Sequence, residues 1–427
     1  MVQKLIELSL RNRYIVLAIA LSLFVWGVFA VKQNPIDAIP DLSENQVIVF
    51  TEWMGRSPQI MEDQVTFPLV SNLQGISKVK NIRGTSMFGM SFVYIIFDDD
   101  VDIYWARTRV LERLNYAQRL LPQNVTPTLG PDGTGVGHVF WYTLDAKGMD
   151  LGEQRATQDW YVKLALQTVP GVSEVSSFGG FEKQYQLIVD PAKLQFYHLS
   201  LTNIIDKVKA NNNDVGGRKF EMSDAGYIIR GLGYIKNKTD IENIAVANNN
   251  GIPVRVKDIG SVQMGGDLRL GIFDENGNGE VVGGIVVMRY GENADKVISA
   301  VKAKMKEIEK GLPEGVHFKT AYDRSELIEA AIENIKGKLG EEMLAVSLIV
   351  IVFLFHWRSA VSIIIQIPIT IAISFILLNA FGLSSNIMSL TGIALAIGVI
   401  VDNGIIMAEN SYRNLADWQA KHAPKKD

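Results

Sequence analysis

The sequence predicts an α+β integral membrane protein, with transmembrane helices and a large αβ portion looped out between the first and second spans. Three observations point there: charge-free apolar runs toward both ends of the chain, basic residues gathered beside those runs, and a stretch in the middle that repeats itself at an offset of 96 residues. Among the 427 residues, 48% are hydrophobic, which excludes a disordered chain. A net charge of -4 gives no reason to expect nucleic acid as a partner, and the absence of cysteine excludes disulfides, thiolate metal sites and a cysteine nucleophile.

Residues 14–31 read YIVLAIALSLFVWGVFAV without a charge, about 27 Å as a helix and close to a bilayer core. The run is longer than the apolar region of a signal peptide, and Val31-Lys32-Gln33 is a poor cleavage site, so a retained helix is expected. Three further runs cover 343–355, 360–383 (interrupted by Gln366 and Pro368) and 387–408. The first of these is short, about 20 Å, but its helical pattern begins upstream near Ser325. Lys4, Arg11 and Arg13 precede the first span, Arg358 sits in a tight 356–359 connection, and Arg413, Lys421, Lys425 and Lys426 follow the last. Four spans put all three sets on one side, as the positive-inside rule requires.

The intervening segment alternates strand and helix patterns. Strands are predicted at 46–53, near Val79 and at 92–97, with helices at 57–73 and 101–121, the first opening on Ser57-Pro58 as cap and first-turn proline. A similar order recurs as strand 139–144, helix 151–168 and strands 172–178 and 184–189. LQGISKVKNIRG at 73–84 lines up with VPGVSEVSSFGG at 169–180, placing Gly75 over Gly171, Ser77 over Ser173 and Val79 over Val175. Two copies of a βαβ-type, ferredoxin-like module follow. Strand 281–289, helix 293–310 and strand 316–321 complete the second copy after an insertion, whose glycine- and asparagine-rich turns lie at 211–217, 248–251 and 276–279.

Asp402 carries the clearest chemistry, standing inside the last apolar run in GVIVDNGIIMAEN. A carboxylate at mid-helix costs about 2.5 to 3.5 kcal/mol on insertion scales. It needs a cation, water or a proton there, and exchanging one for another couples proton occupancy to helix packing. One elementary charge crossing 100 mV is worth about 2.3 kcal/mol, so protons can drive work through such a site. Gly392, Gly398 and Gly404 read as packing points. No phosphate-cradling loop, H-E-x-x-H helix or G-x-S-x-G elbow is present, and Gly130 to Gly137 precedes a strand instead of opening a helix, so no enzyme is expected.

The motifs NPIDAIPDLSENQVIVFTEW (34–53), EDQVTFPL (62–69), YWARTRVLERLN (104–115), LGPDGTGVGHVFWYTL (129–144), TQDW (157–160), AYDRSELI (321–328) and GIALAIGVIVDNGIIMAEN (392–410) resemble the heavy-metal-efflux branch of the resistance-nodulation-division (RND) proton antiporters, the CusA/CzcA type. The resemblance implies that Asp402 relays protons; the Asp402-Asn403 pair fits the metal branch's single acid. It divides the chain into a cytoplasmic flank and first helix (1–32), a first porter subdomain (33–134), a second porter subdomain (135–181 with 272–330), a docking subdomain (182–271), helices two to four (331–410) and a cytoplasmic tail (411–427). It further implies a homotrimer in the bacterial inner membrane, its large loop in the periplasm, working with a periplasmic adaptor and an outer-membrane channel.

Members of that branch are much longer, with a second set of spans and a second periplasmic loop. The missing C-terminal half normally supplies the lysine opposite Asp402 and most of the metal-binding cleft, so this segment alone is not expected to pump. No cofactor is implied, and the metal is cargo. Methionine suits Cu(I) or Ag(I), whereas Zn(II), Co(II) and Cd(II) favour harder donors. The resemblance puts Met388 and Met407 where copper and silver pumps carry metal-passing methionines, although Ile400 and Leu268 stand where more are expected. Ordinary packing is the competing account of these methionines and of Met87 and Met90. His138 and His317 have no ligand pair nearby in sequence, and Asp98, Asp99, Asp100 and Asp102 read as a solvated turn before a helix. Two rival functions stay open: a membrane-anchored periplasmic scaffold or binding module of an efflux complex, and a drug exporter of the same superfamily.

Overall fold

The computed structural model describes residues 2–222, 225–249, 251–269, 271–354 and 357–422. The chain divides into two compact units, one of residues 1–143, 162–176 and 284–427, the other of residues 144–161 and 177–283.

The first unit opens with the helix Val2–Arg11 and, past Asn12, the apolar helix Arg13–Gln33. Strands β1 (Gln46–Glu52), β2 (Val79–Met87), β3 (Met90–Phe97) and β4 (Pro127–Leu129) form one sheet in the order β2-β3-β1-β4. Alternate residues of β1 and β3, among them Val47, Val49, Val93 and Ile95, are buried against two helical segments. One runs Pro58–Met61, a π turn Glu62–Thr66, then Phe67–Leu73; the other is Ile103–Ala117. Met61, Val65, Leu69, Ala106, Val110 and Leu114 complete that core. As predicted, Ser57 caps the first helix, accepting from the Ile60 amide, with Pro58 in the first turn. Strand β4 is an addition, at three residues too short to reveal itself by alternation.

The remaining strands are β5 (Gly133–Ala146), β6 (Val172–Phe178), β7 (Lys183–Val189), β8 (Val215–Met222), β9 (Ala225–Gly231), β10 (Ala245–Asn249), β11 (Ile252–Arg255), β12 (Gly260–Gly266), β13 (Val282–Arg289) and β14 (Val316–Asp323). A second sheet, its body in the first unit, has the order β14-β5-β13-β6. Counted within its own module, each sheet therefore has its first strand between its fourth and third, with the second outermost.

The helix between β5 and β6 also contains a π turn, Gln158–Val162, displaced from Glu62–Thr66 by the same 96 residues at both ends. The aligned loops differ in detail: Gly171 takes a positive φ of 85° in one copy, whereas in the other Lys78 takes it at 61°. β7 does not join the sheet of the second module but pairs antiparallel with β12, from Val189 opposite Gly260 to Lys183 opposite Gly266. Those strands belong to the second unit, whose insertion has its own core of Ile204, Ile241, Ile244, Val254, Val256 and Ile259.

After β14 come the helices Arg324–Leu354, Trp357–Ala380 and Ile387–His422. By length and composition, two helices among the described residues are able to cross a membrane, Arg13–Gln33 and Ile387–Gln419, with Ile365–Ala380 a shorter apolar helix. The last helix runs through most of the segment expected to be a tail. Phe355 and His356, at the predicted tight connection, and the basic residues Lys425 and Lys426 lie outside the described residues. Arg13–Gln33 packs on Trp357–Ala380 through Gly27, where an added β-carbon would stand 2.3 Å from the Ala372 Cβ.

Candidate functional site

Asp402 stands sixteen residues into the Ile387–His422 helix and its side chain is exposed. At about 100° per residue, Leu395, Val399 and Ile406 share its face, and these are 77%, 62% and 60% exposed. The carboxylate therefore sits within an uncovered apolar stripe, while Ile397, on the far side of the helix, is buried. Met388 falls within roughly 40° of Asp402 around the axis but four turns away, and Met407 is turned away from it by roughly 140°. Both methionines are exposed. The two predicted metal ligands are thus separated by about 28 Å of helix and are not brought together. Among the described residues no group of three His, Cys, Asp or Glu side chains is arranged to hold a metal ion.

Met388 instead lines a cavity of about 560 Å³ in the first unit, with Asp37, Thr134, Met288, Tyr290 and Ser384 also in its wall. Next to this cavity runs a backbone clasp between the segment that leaves the first helix and the loop that enters the last. Ser385 N–H donates to the Pro35 carbonyl at 2.8 Å, Asp37 N–H to the Ser385 carbonyl at 3.2 Å, and Ile387 N–H to the Ala38 carbonyl at 3.2 Å. Asn34, fully buried, donates from Nδ2 to Ser385 Oγ at 3.0 Å and accepts from Asn379 at 3.4 Å.

Beside the clasp, β14 ends and the Arg324–Leu354 helix begins in a buried charge cluster. Arg324, 5% exposed, donates to both Asp37 oxygens at 3.3 and 3.4 Å and to the His138 carbonyl at 3.3 Å. Its neighbour Asp323 pairs with Lys302 and accepts from Ser325 N–H at 2.9 Å and Ser325 Oγ at 2.7 Å. Burial alone would raise the Asp323 carboxyl, but the bonds from Lys302 and Ser325 outweigh it and hold the pKa below the usual carboxylate value. His138 is driven below the usual imidazole range by burial and then by the Arg324 charge, which suits a packed histidine.

A second cluster joins the two repeated modules. Asp132 accepts from Tyr104 Oη at 3.1 Å and from Ser173 Oγ at 2.5 Å, with Arg289 Nε at 3.5 Å. Burial would raise this carboxyl too, yet the Ser173 and Tyr104 hydrogen bonds and the Arg289 charge lower it. Tyr104 is raised by burial and by its bond to Asp132. Arg324 and Asp132 lie in the AYDRSELI and GPDGTG motifs and Asp37 in NPIDAIP, yet none of the three is marked out by its local sequence. The partners are distant in the chain, so spacing offers no signal for them.

The AcrB/AcrD/AcrF family profile matches residues 5–426. The cation efflux system protein CusA of Escherichia coli K12 is 46% identical over 425 residues, 99% of this chain and 41% of CusA. The cobalt-zinc-cadmium resistance protein CzcA of Cupriavidus metallidurans is 36% identical over 431 residues, 99% of this chain and 40% of that relative. A crystal structure of a heavy metal efflux pump superposes with a TM-score of 0.85 at 33% identity, covering 96% of this chain and 41% of the pump. The chain thus spans about two fifths of the length of the relatives it matches. With the repeated modules and the closing helices matched from end to end, the chain belongs to the AcrB/AcrD/AcrF family of RND transporters, in its heavy-metal-efflux branch.

Proposed function

We propose that this chain is the N-terminal portion of a proton-driven permease that exports heavy-metal cations, Cu(I) or Ag(I) in preference to Zn(II), Co(II) or Cd(II), and that Asp402 carries the proton. The observation that bears most weight is the carboxylate of Asp402 among the uncovered apolar side chains of Leu395, Val399 and Ile406, one helical repeat before Glu409 on the same face. A charge there is stable only beside a cation, water or a proton. A helix from the absent half, bringing a lysine, is the natural cover for that stripe. The metal preference rests on thirteen methionines against five histidines and no cysteine, with Met388 at the cavity wall and Met407 deeper along the helix as the thioethers offered to the ion.

On this reading the helices lie in a bacterial inner membrane and the αβ portion in the periplasm. The two sheets are ferredoxin-like porter subdomains, about 33–134 and 135–181 with 272–330, and the insertion at 182–271 is the docking subdomain. Its β8–β9 hairpin leaves Phe220, Tyr227, Ile228 and Ile229 exposed, an apolar surface suited to a second copy in a trimer that also meets an adaptor and an outer-membrane channel. The test is Asp402→Asn in the complete transporter, expressed in a strain lacking its own metal pumps. Growth in silver or copper should fall to the level of the empty vector while expression and oligomeric state stay unchanged. Undiminished resistance would sink the proton-carrying role.

A further inference from the structure

Three methionines, Met54, Met87 and Met90, stand close together in the fold at the tip of the first sheet. β2 and β3 are joined by only Phe88 and Gly89, and their register sets Met87 opposite Met90; across β3, Met90 in turn faces Glu52 of β1. Burial alternates along β3 so that Ser91, Val93 and Ile95 face the helices, which puts Met87, Met90 and Glu52 together in one row on the other face. Directly paired residues hold their β-carbons about 4.5 to 5.5 Å apart, and the flexible thioether side chains bridge that gap easily.

The third sulfur comes from the turn that follows β1. Trp53 N–H donates to the Gly89 carbonyl at 2.8 Å and Gly89 N–H to the Arg56 carbonyl at 2.9 Å, which fastens this turn onto the hairpin. Met54 folds over it: a β-carbon on Gly89 would stand 3.1 Å from Met54 Sδ. Gly89 has a φ of 70°, so glycine serves there both the two-residue turn and the approach of the sulfur. The Arg56 guanidinium lies over the Trp53 ring, 4.6 Å from its centroid. Met54 and Met87 are 50% and 48% exposed, so neither is part of the core beneath this sheet.

We propose that Met54, Met87 and Met90 form a binding site for a soft monovalent cation, Cu(I) or Ag(I), with the Glu52 carboxylate as nearby countercharge. Uncharged thioethers select soft ions and offer little to Zn(II) or Co(II). The site goes beyond the transport reading and does not rest on it, since a chain that moves no ion would still bind one here.

The test uses the purified full chain in detergent, pulsed with hydrogen peroxide and analysed for methionine sulfoxide by peptide mass spectrometry. With free Ag(I) at ten times the dissociation constant, oxidation at Met54, Met87 and Met90 should slow together, by about tenfold from mass action. Met222 and Met264, similarly exposed, should oxidise at their original rate, and Zn(II) should protect none. In equilibrium dialysis the triple variant Met54→Leu, Met87→Leu, Met90→Leu should bind one Ag(I) fewer than the parent. Oxidation of the three methionines that ignores Ag(I), or unchanged stoichiometry in a variant with native circular dichroism, overturns the proposal. A variant that fails to fold leaves the decision to the oxidation of the parent chain.

Discussion

Asp323 stays ionised in a nearly buried position because Lys302 and two Ser325 donors meet it there. Its folded pKa lies below the unfolded value of about 3.9, so the stability it supplies is complete above that pH and is lost as pH falls through the lower folded value. Asp323→Asn should therefore reduce the unfolding free energy at pH 7 by about 1.5 to 3 kcal/mol, the range for hydrogen bonds to charged groups. The deficit should close as the parent carboxylate is protonated below pH 4. Denaturant melts of both proteins at pH 7 and pH 3 decide it, and a deficit equal at the two pH values would contradict this account. Individual residues differed greatly in how readable they were. Asp402 stands out from its apolar neighbours in the sequence alone, whereas the Asp37–Arg324 pair joins residues 287 positions apart, and nothing local to either residue announces the other.

Helix-on-helix packing turns on a residue that the sequence left anonymous. The Arg13–Gln33 helix is apolar all round, so no face could be chosen for it, yet Gly27 marks the contact by leaving no room for a methyl group against Ala372. Gly27→Ala should cost about 1 to 3 kcal/mol through overpacking. Adding Ala372→Gly should restore most of the loss, because it vacates the same space. Thermal unfolding of single and double variants in detergent is the measurement; a harmless single variant, or a double variant no better than the single, would show that the helices do not meet here. Strands were legible wherever one face is buried, as in β1 and β3, because period-two alternation records burial directly. The neighbour of β7 lies beyond such a pattern, because alternation reports which face is buried and is silent about which strand lies alongside. The π turns were invisible, since one extra residue in a helical turn leaves no compositional trace.

At the scale of the molecule, duplication and insertion explain the layout. One βαββαβ plan appears twice, and the second copy is opened between its second and third strands to admit the lobe with the β8–β9 hairpin. If that hairpin seats a neighbouring copy, Ile228→Asp with Ile229→Asp should shift the full-length transporter from trimer toward monomer in light scattering, without loss of secondary structure; an unchanged mass would remove the hairpin from the assembly. The doubling was legible because the loop motif survived at 73–84 and 169–180, while the shared strand order needed coordinates, since pairing is set by contacts remote in sequence. The paired kinks at Glu62–Thr66 and Gln158–Val162 carry a historical meaning. A lone residue slipped into a helix is an unusual event, and finding the same slip at matching points is most economically a single occurrence in a one-module ancestor, copied when the gene segment doubled. The two kinks then serve as a fixed landmark from which the halves of any descendant can be aligned, even after every side chain between them has changed.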